Sequence, residues 1–170
     1  TNTVPGQGQA ENPDLLFIGE APGADEDEQG IPFVGRSGQL LTKMIEAMGY
    51  TRDTVFIANI NKCRPPGNRA PTPEEMQICL PYLKRQISIL QPKVIVALGA
   101  TAVNGLIDLP QGMGITKVRG TWQKFEGIDL MPTFHPAYML RNPNMKRPVW
   151  EDLKTVLGHL GKPVPPVKKA

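Results

Sequence analysis

A short apolar run that stops abruptly constrains the fold of this chain more than any other feature. The run from Leu15 to Ile18 ends at Gly19, which is typical of a buried strand that reaches its carboxyl end. The loop that follows holds a carboxylate, two prolines and an aromatic ring before apolar residues recur at helical spacing from Leu40 to Met48. In open α/β sheets, ligands bind just beyond the carboxyl ends of strands. We therefore expect this loop to form one wall of a binding pocket.

The same alternation of strand and helix continues along the chain. Further apolar runs cover Val55 to Ile60, Lys93 to Leu98 and Asp129 to Thr133. Helical patterns separate or follow the strands at Ser37 to Met48, Thr72 to Leu90, Gly99 to Ile107 and Val149 to Leu160. This order predicts an α/β fold, a three-layer sandwich with a central, mainly parallel four-stranded sheet. The loops after parallel strands share one edge, so we expect four side chains to converge there: Glu20, Phe33, Asn59 and His135.

The length of 170 residues suits one domain, which we place at residues 13–160. Residues 1–12 are a predicted polar lead-in and residues 161–170 a predicted disordered tail. The acidic cluster from Asp25 to Glu28 is predicted to be a solvated loop. No apolar run has the length of a membrane span and no signal peptide precedes Leu15, so we expect no membrane contact, and we expect a monomer.

Charge and cysteine content give weaker indications. A net charge of +3 permits an anionic partner, although a mildly basic surface explains it equally well. Six basic residues fall in predicted loops and could form a phosphate-binding rim: Lys62, Arg64, Arg69, Arg141, Lys146 and Arg147. Two cysteines, Cys63 and Cys79, favour a cytoplasmic protein over a disulfide scaffold.

Several motifs at the predicted strand ends share a resemblance. They are Gly19-Glu20-Ala21-Pro22-Gly23, Pro32-Phe33-Val34-Gly35, Asn59 with Lys62-Cys63-Arg64-Pro65-Pro66, and His135-Pro136 with Leu140-Arg141. In this order they resemble the family 4 uracil-DNA glycosylases of the uracil-DNA glycosylase superfamily, over about residues 15–160. The resemblance implies an enzyme that hydrolyses the N-glycosidic bond of uracil in DNA, leaves an abasic site and initiates base-excision repair.

The resemblance also implies roles for individual residues. His135 would stabilise the anionic leaving group, and Glu20 or Glu26 would orient water and stabilise the sugar cation. Phe33 would stack on the base, and Ala21 would contribute backbone and shape. Leu140 or Met139 would enter the base stack while Arg141 contacts a phosphate.

The chemistry independently supports the role of His135 and predicts one for Asn59. Uracil departs carrying negative charge, and an imidazole such as His135 can donate a hydrogen bond to it. The amide of Asn59 can accept from uracil N3–H and donate to O4, whereas cytosine would mismatch it at both positions. Plain structural roles remain open: His135 packed beside Pro136, Asn59 as a turn residue, and Phe33 as a core aromatic.

The cysteines depart from the family pattern. Family members hold a 4Fe-4S cluster with four cysteines, and Cys63 and Cys79 match the second pair. No cysteine precedes them, so we expect the cluster to be absent or incomplete in this chain, either because the upstream pair lies outside it or because this homologue lacks the cluster. Two other functions stay open: a glycosylase for another deaminated base, and a non-catalytic DNA-binding module related to phage polymerase-associated domains.

Overall fold

A computed structural model describes residues 3–166, in which a six-stranded sheet lies between two layers of helices. The strands are β1 Gln7–Gly8, β2 Leu15–Gly19, β3 Phe56–Asn59, β4 Val94–Leu98, β5 Gln123–Phe125 and β6 Ile128–Thr133. The helices are α1 Ala24–Gln29, α2 Arg36–Ala47, α3 Pro73–Leu90, α4 Ala100–Leu106, α5 Ile115–Val118, α6 Pro136–Arg141 and α7 Lys146–His159.

The predicted α/β class is confirmed, whereas the strand count of four is wrong. The sheet order is β1-β3-β2-β4-β6-β5, and its four central strands are parallel. Two short antiparallel strands, β1 and β5, close the edges. The sequence indicates a short pairing around Trp122 to Phe125, which corresponds to β5, whereas the two residues of β1 carry no readable apolar pattern. The parallel core is the sheet that the longer apolar runs predicted.

Alternate side chains of β2 supply two separate cores, one on each face of the sheet. Leu15 and Phe17 pack with α2, α6 and α7, whereas Leu16 and Ile18 pack with α3, α4 and α5. All four side chains are fully buried. Burying one large apolar side chain contributes about 1.5–3 kcal/mol, so both faces hold β2 in place. This is the arrangement expected of a three-layer sandwich.

The long helices begin and end close to their predicted positions. At the start of α3, the Thr72 hydroxyl accepts from the Glu75 amide at 3.2 Å, and the Glu75 carboxylate accepts from the Thr72 amide at 2.9 Å. Three short helices were predicted to be loops. Of these, α1 contains the acidic cluster, and its formation follows from Glu26, which accepts from the Gly23 amide at 3.1 Å.

The two ends of the chain are only partly described. The predicted polar lead-in contains β1 and the fully buried Val4, whose amide donates to the Lys62 carbonyl at 2.6 Å. Residues 161–166 form neither helix nor strand, and the remaining predicted tail at 167–170 lies outside the described residues, as do residues 1 and 2. No helix among residues 3–166 is long and apolar enough to cross a membrane.

Candidate active site

A cavity of about 170 Å³ opens at the carboxyl edge of the parallel strands. After β2 the chain continues to its neighbour β3 on one side of the sheet, and after β4 it continues to β6 on the other side. Open α/β sheets bind ligands at such a point, where the strand order changes direction. The volume lies below the ~300 Å³ at which pockets for drug-sized ligands begin, which suits a small flat ring. Eight residues line it: Glu20, Ala21, Gly23, Glu26, Phe33, Ser37, Asn59 and His135.

The amide of Asn59 lies at the end of β3, on the floor of this cavity. The residue is 2% exposed, and its Oδ1 has no hydrogen-bond partner among the described residues. Most buried polar atoms in proteins are paired, so an unpaired one needs an explanation. Its backbone carbonyl accepts from Lys62 Nζ at 2.7 Å, which anchors the residue. The side-chain oxygen is therefore a buried acceptor without a partner among the described residues.

The imidazole of His135 caps α6 and faces both Phe33 and the cavity. Its Nδ1 accepts from the Ala137 amide at 3.0 Å, which places the ring proton of the neutral form on Nε2. Burial lowers the pKa of His135 to about 4, and the positive charge of Arg141 adds to the shift. At neutral pH the ring is therefore an uncharged N–H donor. Gly99, at a φ of 92°, leaves space for the His135 side chain, because a Cβ at position 99 would lie only 2.9 Å from His135 Cβ.

The ring of Phe33 forms the side wall, with its centroid 5.7 Å from that of His135. Phe33 has a φ of 54°, a left-handed conformation that is uncommon for a bulky residue. Its carbonyl accepts from Arg52 at 2.8 Å, and α2 packs against its backbone through Gly38, where a Cβ would lie 2.0 Å from Phe33 O. The ring is 6% exposed and also joins the core, so it is fixed on several sides.

The two carboxylates of the cavity have different surroundings. The Glu26 carboxylate accepts from three backbone amides, those of Gly23 at 3.1 Å, Val34 at 2.7 Å and Gly35 at 2.9 Å. Glu26 thus ties α1 to the loop that carries Phe33. Glu20 follows β2 and borders both this cavity and a second one, whereas Glu26 borders only the first of the two.

The second cavity, of about 420 Å³, continues from the first past Glu20 and His135. It runs between the start of α4 and α6 and is lined further by Gly99, Ala100, Thr101, Ile115, Thr116, Phe134, Ala137, Tyr138 and Arg141. Leu140 lies on α6 beside Arg141 and is 37% exposed. Arg141 lines the groove, and the exposed apolar side chain of Leu140 precedes it on the same short helix.

The basic residues do not form the single rim that their loop positions predicted. Lys62 is 7% exposed and donates to Asn59 and to Gln86 Oε1, so its inclusion in a surface rim was wrong. Arg69 pairs with Glu75. Arg141, Lys146 and Arg147 are exposed and follow one another around α6 and the start of α7. Of these three, Arg141 lines the second cavity.

The two cysteines do not by themselves make a metal site. Cys63 is exposed and Cys79 is partly exposed, and both are free thiols. No group of three or more His, Cys, Asp or Glu side chains within residues 3–166 could hold a metal ion. A 4Fe-4S cluster requires four ligands, so the described residues do not fit one on their own.

Sequence reasoning missed two polar residues of this region. Ser37 lines the cavity from the first turn of α2, and its position next to a predicted helix start could have drawn attention to it. Arg52 gave no such signal, because its two shortest hydrogen bonds are to backbone carbonyls, which no side-chain motif reveals.

Comparisons with known proteins identify relatives over most of the chain. The sequence profile of the Uracil DNA glycosylase superfamily matches residues 5–154. A type-4 uracil-DNA glycosylase of Thermotoga maritima is 48% identical over 91% of this chain and 81% of its own length. Another from Sulfurisphaera tokodaii is 47% identical over 92% of this chain and 74% of its own length. A DNA polymerase of Bacillus phage SP01 is 28% identical over 90% of this chain but only 16% of the polymerase.

Proposed function

Because this chain belongs to the uracil DNA glycosylase superfamily, we propose that it is a uracil-DNA glycosylase that hydrolyses the N-glycosidic bond of uracil in DNA. The product would be an abasic site, as in the first step of base-excision repair. One observation carries the proposal: a cavity the size of a small ring holds a fixed acceptor on Asn59 and a neutral N–H donor on His135.

Recognition of the base follows from the fixed groups of the cavity. Asn59 Oδ1 would accept from uracil N3–H, and the amide NH₂ would donate to O4. Cytosine presents an acceptor at N3 and a donor at position 4, so two buried polar pairs would be mismatched. The ring of Phe33 would stack on the extruded base.

Cleavage would proceed through a sugar cation and a uracil anion. The C1′–N1 bond breaks with both electrons leaving on uracil, and the oxygen of a water molecule then bonds to C1′ while its proton is released. His135 would donate from Nε2 to uracil O2 as negative charge develops there. Glu20 would orient the water and stabilise the sugar cation electrostatically. Glu26, which is bonded to three amides, would act by holding the loop.

The groove beyond Glu20 would receive the DNA strand. We propose that Leu140 enters the base stack where uracil leaves and that Arg141 contacts a phosphate. Leu140→Ala should then slow excision from duplex DNA more than from single-stranded DNA, in which the base is already unstacked. Equal loss on both substrates would contradict the wedge role.

The activity test is a cleavage assay on an oligonucleotide that contains one uracil, followed by alkaline strand scission. Cleavage at the uracil position is expected, with none at cytosine in a matched oligonucleotide. Folded protein that binds this DNA without forming an abasic site would support a binding module such as the polymerase-associated segment instead. Cleavage of a hypoxanthine oligonucleotide in preference to uracil would support a glycosylase for another deaminated base.

We propose further that the chain acts as a monomer in the cytoplasm and that a 4Fe-4S cluster is absent or incomplete in this chain. Free thiols at Cys63 and Cys79 are in keeping with a reducing compartment. Light scattering would test the monomer, and iron analysis of the purified chain would test the cluster.

A further inference from the structure

The peptide group between Phe33 and Val34 is bonded at both ends by side chains of opposite charge. Its carbonyl oxygen accepts from Arg52 Nη1 at 2.8 Å, and its N–H donates to Glu26 Oε2 at 2.7 Å. A guanidinium at the oxygen and a carboxylate at the N–H both match the direction of the peptide dipole. This one peptide plane is therefore held in a fixed orientation.

Arg52 donates hydrogen bonds to three further acceptors besides the Phe33 carbonyl. Its Nη2 donates to Pro32 O at 2.6 Å and to Gln7 Oε1 at 3.3 Å, and Nη1 donates to Thr42 Oγ1 at 3.2 Å. All of these acceptors are neutral oxygens, and Arg52 is partly buried, although removing a cation from water to neutral surroundings is costly. The planar fork of an arginine can serve two consecutive carbonyls, which a lysine ammonium cannot do in the same geometry.

The backbone that Arg52 holds is the one that needs support. Phe33 has a left-handed φ of 54°, and such conformations persist only when their surroundings fix them. The direction of the ring depends on this conformation, because the Cα–Cβ bond turns with the backbone. The two carbonyls bonded to Arg52 lie on either side of the Phe33 φ angle.

We propose that Arg52 is a positioning residue: it holds the left-handed backbone of Phe33 and thereby fixes the ring that contacts the extruded base. This inference rests on the proposed function, since it assigns to the ring a role in base binding. Arg52 borders neither of the two cavities and acts only through Phe33.

A double-mutant cycle tests this coupling by single-turnover excision from single-stranded DNA. Phe33→Ala and Arg52→Met are each expected to slow excision by about 10- to 100-fold, the scale of a misplaced contact group. If Arg52 acts through the ring, the double variant should be no slower than the slower single variant. Losses that multiply would overturn the proposal. Arg52→Lys, which keeps the charge, serves as the second variant and should fall between wild type and Arg52→Met.

Fluorine NMR of 4-fluorophenylalanine at position 33 gives a readout that does not depend on activity. We expect a resonance that shifts or broadens in Arg52→Met but not in Arg85→Met, a matched change at an exposed arginine of α3. An unchanged resonance in Arg52→Met would overturn the proposal even if excision were lost. If the wild-type protein does not excise uracil, the proposed function is wrong. The NMR comparison still decides in that case whether Arg52 holds the Phe33 ring.

Discussion

The hydrogen bond from the Ala137 amide fixes where the His135 imidazole carries its proton. Because Nδ1 accepts that bond, only Nε2 can donate into the cavity. Protonation of Nδ1 would break this hydrogen bond, because the Nδ1–H and the Ala137 N–H would then both be donors facing each other. The same contact therefore links the chemistry of the site to the stability of the fold at low pH.

The pH dependence of this link has a definite sign. The pKa of His135 is lowered by burial to about 4 in the folded protein, against about 6.5 when unfolded. Above about 6.5 both states are neutral, and below it the unfolded state binds a proton that the folded state refuses. The free energy of unfolding should therefore fall by about 2–3 kcal/mol between pH 7 and pH 4.5 on account of His135 alone.

Urea unfolding at the two pH values measures this contribution. The carboxylates also titrate in this range, but they are the same in every variant, so their effect cancels when variants are compared. His135→Gln should lose less stability on acidification than wild type by that amount. The same loss in His135→Gln as in wild type would show that His135 is not held neutral.

Asn59 should decide which base is excised. In Asn59→Asp the side chain loses its NH₂ donor, so uracil O4 is left without its partner. Excision of uracil should fall by about 10- to 100-fold, as expected for one unpaired buried group, and the ratio of uracil to cytosine cleavage should fall with it. The assay uses paired oligonucleotides that differ only in that base. Asn104→Asp, an exposed site on α4, is the control; an unchanged ratio in Asn59→Asp would show that another residue reads the base.

At the scale of elements, α2 shapes the cavity through a close approach to the Phe33 loop. Gly38 lies in the helix where a Cβ would be 2.0 Å from the Phe33 carbonyl, whereas a Cβ at Gly158 in α7 would meet nothing within 4 Å. The two glycines are both helical, so they differ mainly in the space around them.

Gly38→Ala should therefore destabilise the fold by about 2 kcal/mol or more and slow excision, because the helix or the loop must move. Gly158→Ala should be neutral or stabilise by up to about 1 kcal/mol, since alanine favours the helix and meets no neighbour. Thermal unfolding and the uracil assay measure both effects. Tolerance of Gly38→Ala with full stability and activity would mean that the contact does not position Phe33.

Short elements limited what the sequence could predict. The strands that carry Glu20, Asn59 and the segment before His135 were predicted because apolar runs mark buried parallel strands. The acidic cluster was assigned to a loop, yet it forms α1, since Glu26 bonds to the backbone at both ends of its loop. Arg52 was missed for a related reason: its role depends on where two carbonyls point, which residue types do not reveal.

For the whole molecule, the two cores on either side of the sheet explain the fold without the cysteines. Neither Cys63 nor Cys79 belongs to either buried cluster, and both retain some exposure. Stability should therefore come from the apolar layers. The family resemblance, in contrast, implies a cluster bound through these two residues, so their contribution to folding separates the two expectations.

Cys63→Ser and Cys79→Ser should each change the free energy of unfolding by less than about 1 kcal/mol, as is usual for partly exposed sites. Leu83→Ala, on the same helix as Cys79 but fully buried, should cost about 2–5 kcal/mol. Denaturant unfolding with and without a chelator measures all three variants. If removing a thiol and adding the chelator each destabilised the chain as much as Leu83→Ala, a bound metal rather than the apolar layers alone would be holding α3 against the sheet.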